Sequence, residues 1–381
     1  HQSFDPNYFC LDHGPKTFRI MSGFFFFFVI YLLFLFIIVV VGYFAQRTRE
    51  RSYSGSPEDH ISASELVVIV PFRNEETRID VLLDSIRQLN YYPKEFIFVD
   101  DHSDDRSCEK INTLDAGIPY RVLHLPEGVQ GKKVGIRHAI ANSEASYLLT
   151  IDADVVLQAD YFLTISRLSN ADMYLMPAVM VAEKPLHHLF EVDLLLINAI
   201  NTGLSGLARP IIASGANLLF SRKSFDKLDR LHTHAHMPSG DDIYLLRDYR
   251  IGKADVRLMS DPRTAVHTET PQSLKEFMHQ RLRWVAKTGD VKDHLSTTLA
   301  ILQAALTVWF VALVVYYLVI GDSRTALVIF AAKTAVDMLA FLPFFNRVRR
   351  IRSWLFIPIY ELIFPFYSLA ILVMMYFFKP V

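Results

Sequence analysis

The clearest pattern along the chain is where apolar residues stop alternating with polar ones. Four stretches stay apolar for about 20 residues, the length that crosses a bilayer as a helix. The first begins "MSGFFFFFVIYLLFLFIIVVVGYF" at Met21, and the others cover roughly 298–320, 325–345 and 354–378. The first is too long for a signal-peptide core and carries no small-residue cleavage site, so it reads as a retained anchor over residues 21–45. Residues 1–20 show no periodicity. They read as an upstream read-through or disordered tail, with Met21 a candidate initiator, and are assigned no function.

Between the first and second spans the pattern changes to short apolar runs separated by amphipathic segments. "ELVVIVPFRNEE" (65–76) is a Val/Ile run ended by Pro71 and polar residues, the mark of a buried parallel strand with a loop at its carboxyl end. "TRIDVLLDSIRQLN" (77–90) places Ile79, Leu82, Leu83, Ile86 and Leu89 on one helical face. The strand-like "EFIFVDDHSDD" (95–105), "RVLHLPE" (121–127) and "YLLTIDADVVL" (147–157), with the helical "KKVGIRHAIANS" (132–143), continue the alternation. A βαβ series of this kind predicts a mostly parallel α/β sheet, and such sheets bind ligands beyond the carboxyl ends of their strands. Asp100, Asp101, Asp152 and Asp154 all fall on that edge.

Composition narrows the reading. With 39 Lys+Arg against 40 Asp+Glu, charge gives no argument for a nucleic-acid partner. Two cysteines exclude a disulfide framework and a Cys-rich zinc module. Neither GxGxxG nor GxxxxGK[ST] occurs, which disfavours a dinucleotide fold and a P-loop ATPase. Basic residues flank the spans unevenly. Arg47, Arg49 and Arg51 follow the first, and Arg347, Arg349, Arg350 and Arg352 separate the third from the fourth. The positive-inside rule puts both loops, and hence the intervening domain, on the cytoplasmic side of a multi-pass cell-membrane protein. Lys16 and Arg19 argue weakly the other way.

Three acid motifs carry candidate chemistry. "IDAD" (151–154) sets Asp152 and Asp154 two residues apart after a strand, suited to Mg²⁺ or Mn²⁺, which take a few carboxylates and complete their shell with substrate phosphates. "VDDHSDD" supplies acids at an earlier strand end. "PSGDDIYLL" (238–246) puts Asp241 and Asp242 at the start of a helix, whose dipole keeps a carboxylate ionised and fit to accept a proton from a hydroxyl. Each motif also has a plainer reading, a solvated turn for the first and a helix cap for the last.

"VPFRNEE", "FVDDHSDD", "IDAD", "GDD" and "QRLRW" (280–284), in this order, resemble the motifs of membrane-bound family 2 glycosyltransferases with a GT-A fold, a Rossmann-like α/β domain. The resemblance covers roughly residues 62–290. It implies such a domain inserted between one N-terminal and three C-terminal transmembrane helices (298–378), and a hexosyltransferase activity. It implies that Pro71, Asn74 and Glu75 form the first donor loop, and that Asp100 or Asp101 meets the uracil and ribose of a UDP-sugar. Lys132 resembles a basic residue near the diphosphate, and Asp152 and Asp154 the nucleotide and metal carboxylates. Asp242, with Asp241 before it, resembles the catalytic base, although many relatives have "TED" where this chain has "GDD". Ser214 and Gly215 in "SGAN" resemble the segment facing the acceptor. Gln280 and Arg283 then bind the departing pyrophosphate, where a donor fork stabilises growing charge, and Trp284 covers the donor or first acceptor sugar.

The expected reaction is inverting transfer from a nucleotide-sugar donor to a lipid or glycan acceptor at the membrane, in glycolipid or cell-envelope polysaccharide synthesis. Processive polysaccharide synthases share the QxxRW signature, but four spans are few for a polymer channel without partner subunits or an oligomer. Ceramide glucosyltransferase-like relatives offer the lipid alternative. A non-catalytic nucleotide-sugar-sensing membrane subunit is the competing class, disfavoured because the acids are all present. A transporter is disfavoured by few spans and no internal repeat.

Other features read as structural. His232, His234 and His236 in "HTHAH" form a polar loop rather than a metal site, and His267 a satisfied core histidine. Lys333, Asp337 and Glu361 inside the apolar spans read as a network joining helices, or as an acceptor path. The apolar segment 186–208 reads equally as an interfacial helix or a buried one.

Overall fold

The computed structural model describes Phe26 and residues 28–54, 59–230, 241–290 and 293–377. The tail 1–20, the HTHAH histidines and Gly240 lie outside the described residues, as does the side chain of Asp241.

The described strands are β1 (Leu66–Phe72), β2 (Glu95–Asp100), β3 (Tyr120–His124), β4 (Tyr147–Ile151), β5 (Val155–Val156), β6 (Met173–Leu175), β7 (Ala178–Val181), β8 (Asn217–Ser221), β9 (Val256–Leu258) and β10 (Val266–Glu269). The principal sheet has the order β3-β2-β1-β4-β8-β6-β9. Its first four strands are parallel, and β8 runs antiparallel to β4 and β6. A small sheet, β5-β10-β7, lies beside it. The helices that matter here are α1 (Phe28–Arg51), α2 (Ile79–Arg87), α3 (Lys132–Ala141), α4 (Pro185–Leu207), α5 (Asp241–Ile251), α6 (Leu274–Asp290), α7 (His294–Val319), α8 (Ser323–Arg347) and α9 (Ile357–Phe377).

Period-two alternation within near-continuous apolar strands covers both faces of the sheet. Val68, Val70, Phe96 and Phe98 pack with Ile79, Leu82, Leu83 and Ile86 of α2 on one side. Val67, Ile69, Ile97 and Val99 pack with Ile136, Ala139 and Ile140 of α3 and with Leu245, Leu246 and Tyr249 of α5 on the other. The parallel register aligns the carboxyl ends, Phe72 opposite Asp100 and Asp100 opposite His124. The expected α/β sheet is therefore present, and its acids share one edge.

Four helices, α1, α7, α8 and the span Ile357–Met375 within α9, are long and apolar enough to cross a membrane. The segment 186–208 folds as α4, and its fourteen buried residues favour the buried alternative over a purely interfacial helix. α4 crosses α1 backbone to backbone. A Cβ on Gly42 would overlap the Gly203 carbonyl, and one on Gly206 would overlap the Gly42 carbonyl, so only glycine permits this approach. Val192, Leu195 and Ala199 of α4 then form one core with Val39 and Tyr43 of α1 and Phe341, Phe344 and Phe345 of α8.

The basic residues beyond the spans hold the domain. Arg350 lies 3.1 Å from buried Glu191 of α4, and Arg347 lies 3.4 Å from Asp261. At the end of α1, Glu50 accepts the Ser260 N–H at 2.6 Å and the Arg49 guanidinium donates to the Ser205 carbonyl at 2.6 Å. Both basic loops therefore lie on the domain's side of the apolar helices. Within those helices Lys333 pairs with Asp337 (2.8 Å) and Glu361 (3.1 Å), while Thr334 donates to Glu361 (2.9 Å), which joins α8 to α9.

Candidate active site

The first loop leaves β1 at Phe72 and turns through Asn74, a non-glycine residue at φ 54°. That conformation is tolerated because Asn74 is tied to the neighbouring loop: its N–H donates to Ser103 Oγ (3.1 Å) and its Oδ1 accepts the Asp104 N–H (3.0 Å). Glu75 donates its backbone N–H to Ser107 Oγ at 2.8 Å, and its carboxylate pairs with Arg78 at 2.8 Å. Pro71, on β1, faces Val99 across the ladder.

At the end of β2, buried Asp100 accepts the Ser103 N–H (2.9 Å) and a ring nitrogen of His124 (3.0 Å). Burial alone would raise its pKa, but the Ser103 and His124 hydrogen bonds outweigh burial and hold it below the ordinary 3.8. Asp100, Cys108 and His124 bring ligand atoms within 4.8 Å of one another. Burial first, and the Asp100 charge second, push the Cys108 thiol up to about 11, so it is protonated at neutral pH and a poor metal ligand. Asp101 instead reaches the start of α3, where its Oδ2 accepts the Gly131 N–H at 2.9 Å. Its Oδ1 is buried with no hydrogen-bond partner. Gly131 takes φ 108°, which only glycine adopts without strain.

The DxD acids follow β4 directly. Lys132 Nζ donates to Asp152 Oδ1, and Arg78 lies 3.7 Å from Asp154 Oδ2. Burial, then the Asp152 charge, raises the Asp154 pKa above 3.8 against the pull of Arg78 and Lys132. Burial likewise raises Glu75, with Arg78 opposing and both DxD acids adding. Three carboxylates thus crowd one spot with two cations beside them.

The same spot receives Asp242. Its Oδ2 accepts the Gly215 N–H at 2.9 Å and its Oδ1 accepts the Ile243 N–H at 2.9 Å, in the first turn of α5. A Cβ on Gly215 would stand 3.6 Å from both Asp242 Oδ2 and Lys132 Nζ. Lys132, Asp152, Gly215 and Asp242, far apart in sequence, therefore converge. The Ser214–Gly215 segment is fixed from α4, where Asn201 Oδ1 accepts the Ile211 and Ile212 N–H groups (2.8 and 3.1 Å) and its Nδ2 donates to the Ile212 carbonyl (2.9 Å).

The QxxRW residues lie on α6. Arg283 is exposed, Trp284 half-buried, and Gln280 Oε1 is buried without a hydrogen-bond partner. No described hydrogen bond or ion pair joins Gln280 or Arg283 to the Asp152–Asp242 cluster. The buried cation of this helix is Arg281. It lies 2.5 Å from Asp193 of α4 and over the rings of Phe277 (4.7 Å) and Trp284 (4.2 Å). Asp193 in turn accepts the hydroxyls of Tyr360, at 2.6 Å, and Tyr367 on α9. Arg281 and Asp193 were not singled out by the sequence reading, although a lone aspartate in so apolar a helix was a usable signal. Asn217 closes the "SGAN" segment but takes a structural place in it. It is fully buried, donating to the Pro177 (2.7 Å) and Thr264 (2.8 Å) carbonyls and accepting from Tyr161 (2.5 Å).

An edge of parallel strands that gathers carboxylates, a lysine and a helix-borne aspartate defines a Rossmann-like GT-A domain. Residues 67–229 match the family model described as Glycosyl transferase family 2. Among curated proteins, the chain is 28% identical over 116 residues to the poly-β-1,6-N-acetyl-D-glucosamine synthase of Staphylococcus aureus (strain COL), covering 30% of this chain and 28% of that protein. It is 27% identical over 195 residues to the 4,4'-diaponeurosporenoate glycosyltransferase of Staphylococcus haemolyticus, covering 49% of this chain and 50% of that one. The chain thus spans between about a quarter and a half of these relatives. Among solved structures, a mannosyltransferase from Pyrobaculum calidifontis in complex with GDP-Man and Mn²⁺ aligns over 87% of this chain and 99% of its own, at 16% identity and a TM-score of 0.47.

Proposed function

We propose that this protein is an inverting glycosyltransferase that moves a hexosyl group from a UDP-sugar to a membrane-presented acceptor, a lipid or a growing polysaccharide, at the cytoplasmic face. In this reading residues 62–290 are the catalytic domain and 298–378 a membrane unit. The observation that carries it is the convergence of Lys132, Asp152 and Asp242 around Gly215. Asp242 is held by two backbone N–H groups and takes the proton of the acceptor hydroxyl as the acceptor oxygen bonds to the anomeric carbon and the bond to the diphosphate breaks. Lys132 offsets the charge that gathers on the leaving group, and a role for Asp101 in accepting a hydrogen bond from the donor is supported by its one unpaired oxygen. Gln280, Arg283 and Trp284 act on the pyrophosphate and the sugar from α6.

Asp152 and Asp154 fit Mg²⁺ or Mn²⁺: both offer hard oxygen ligands, and their crowding, which raises Asp154, is what a divalent cation relieves. When bound, that ion supplies further charge stabilisation of the leaving diphosphate. The membrane-presented acceptor is supported by Asn201, because the Ser214–Gly215 segment hangs from a helix packed directly on apolar α1.

The test is UDP release by purified, membrane-reconstituted protein across a panel of UDP-sugars with Mn²⁺ or Mg²⁺, wild type beside Asp242→Asn. Turnover that falls at least about a hundredfold in the variant is the expected result. Label in the lipid-extractable fraction or in polymer decides between a lipid acceptor and a growing polysaccharide. Silence with every donor despite measurable UDP binding would overturn the enzymatic reading in favour of a sensing subunit.

A further inference from the structure

We infer that a second, basic cavity on the membrane-facing side of the domain binds a phosphate group, supplied by the head group of an anionic lipid. The cavity holds about 800 Å³, within the range of small-molecule sites. Five arginines line it: Arg49, Arg209, Arg230, Arg247 and Arg250. Among the described residues two acids, Asp248 and Asp293, lie in the same wall, so the described lining carries three positive charges in excess.

The two acids do not neutralise the site. Asp248 is fully buried and paired with Arg247 at 3.0 Å. Asp293 lies 2.7 Å from Arg209 and 3.7 Å from Arg250. Arg250 donates to the Pro210 carbonyl, and its Nε is buried with no hydrogen-bond partner. A buried guanidinium N–H without an acceptor, among surplus like charge, is a costly arrangement that an anion relieves. Arginine forks match phosphate oxygens in geometry as well as charge. Burial and Arg209 accordingly lower the Arg250 pKa to about 10, against the pull of Asp293.

The location argues for the lipid. Arg49 lies in the last turns of apolar α1, and Asp293 caps apolar α7, its carboxylate accepting the Ser296 N–H at 3.0 Å. The cavity therefore opens where two membrane-length helices meet the domain, at head-group level in the membrane placement proposed above. Pro210 and Val256 add apolar wall, which a free phosphate does not need. The site is separate from the acid cluster: Arg250 follows Asp242 by eight residues on α5, about 12 Å along the helix.

The test uses the full chain in neutral detergent micelles, titrated with fluorescent dioleoylphosphatidylglycerol, with phosphatidylcholine and inorganic phosphate as parallel arms. This design does not require that the helices span a bilayer or that the protein turn over sugar. Saturable binding of one phosphatidylglycerol, no binding of phosphatidylcholine, and about tenfold weaker binding in Arg209→Gln and in Arg49→Gln are expected. Arg352→Gln, which removes an exposed basic charge from the short link Ile351–Trp354 between α8 and α9, should leave binding unchanged. Inorganic phosphate that binds as tightly, with the same arginine dependence, would overturn the lipid as the source and leave a soluble phosphate as ligand. Binding of phosphatidylglycerol equal in all three variants, or no binding of either phosphate probe, would overturn the site itself.

Discussion

Removing the Arg281–Asp193 pair tests whether the QxxRW helix is positioned from inside the protein. The two side chains are 4% and 3% exposed and 2.5 Å apart, so water screens them little. At an effective dielectric of about 20 the gross attraction is about 7 kcal/mol, most of it offset by the cost of burying both charges. Removing one partner alone leaves the other charge buried, which costs about 3–5 kcal/mol. Arg281→Met abandons Asp193 to two tyrosine hydroxyls, and Asp193→Asn abandons a guanidinium to two aromatic faces. For a domain of roughly 200 residues, each single change should lower the melting temperature by about 6–20 °C.

The double variant is the deciding measurement. With both charges gone neither is stranded, so Arg281→Met/Asp193→Asn should recover about 1–3 kcal/mol relative to the sum of the single losses. The assay is thermal unfolding of the purified chain in detergent, followed by tryptophan fluorescence, since Trp284 packs on Arg281. Single variants that each shift melting by less than about 2 °C, or strictly additive losses, would refute the reasoning.

Asn217→Ala removes two donors and one acceptor from a fully buried site and strands the Thr264 carbonyl and the Tyr161 hydroxyl, while the Pro177 carbonyl keeps the Val266 N–H, so unfolding should show a loss of about 2–4 kcal/mol. Gly206→Ala drives a methyl group into the α1 backbone, and melting should fall by more than the same change at Gly117, where a Cβ meets nothing within 4 Å. Mn²⁺ affinity, measured by calorimetry, should decline on acidification beginning above 3.8, because Asp154 is raised and regains its proton early. The sign follows from burial and Asp152 disfavouring the carboxylate: its ionisation costs stability in the metal-free protein once pH exceeds 3.8, and that cost is absent below it. Arg78→Gln removes an opposing attraction and should move the decline to higher pH; an unchanged midpoint would contradict that assignment.

What the sequence makes legible here is whatever depends on local periodicity. The strands at 65–76 and 95–105, the helices at 77–90 and 132–143 and the four apolar spans follow from spacing, because burial on one face or both writes itself into neighbouring residues. Gly215 and Lys132 are different. Their approach to Asp242 depends on how β8, α3 and α5 pack, and no short window of sequence contains it. The same limit hid Arg281, since counting i, i+3 and i+4 in "QRLRW" selects Gln280, Arg283 and Trp284, while the buried cation stands one position along, facing α4.

That offset has a mechanical consequence. Arg281 meets Asp193, Asp193 meets Tyr360 and Tyr367, and Asn201, two turns on from Asp193 in α4, holds the Ser214–Gly215 segment. One buried helix thus fixes both the QxxRW helix and the loop against Asp242, and its small-residue face fixes it to α1. Displacing α4 would move the donor-side and acceptor-side parts of the candidate site together. The membrane-presented acceptor proposed above requires a site held at a fixed height above the apolar helices, and the Gly42–Gly203–Gly206 crossing supplies that reference more rigidly than a flexible linker would.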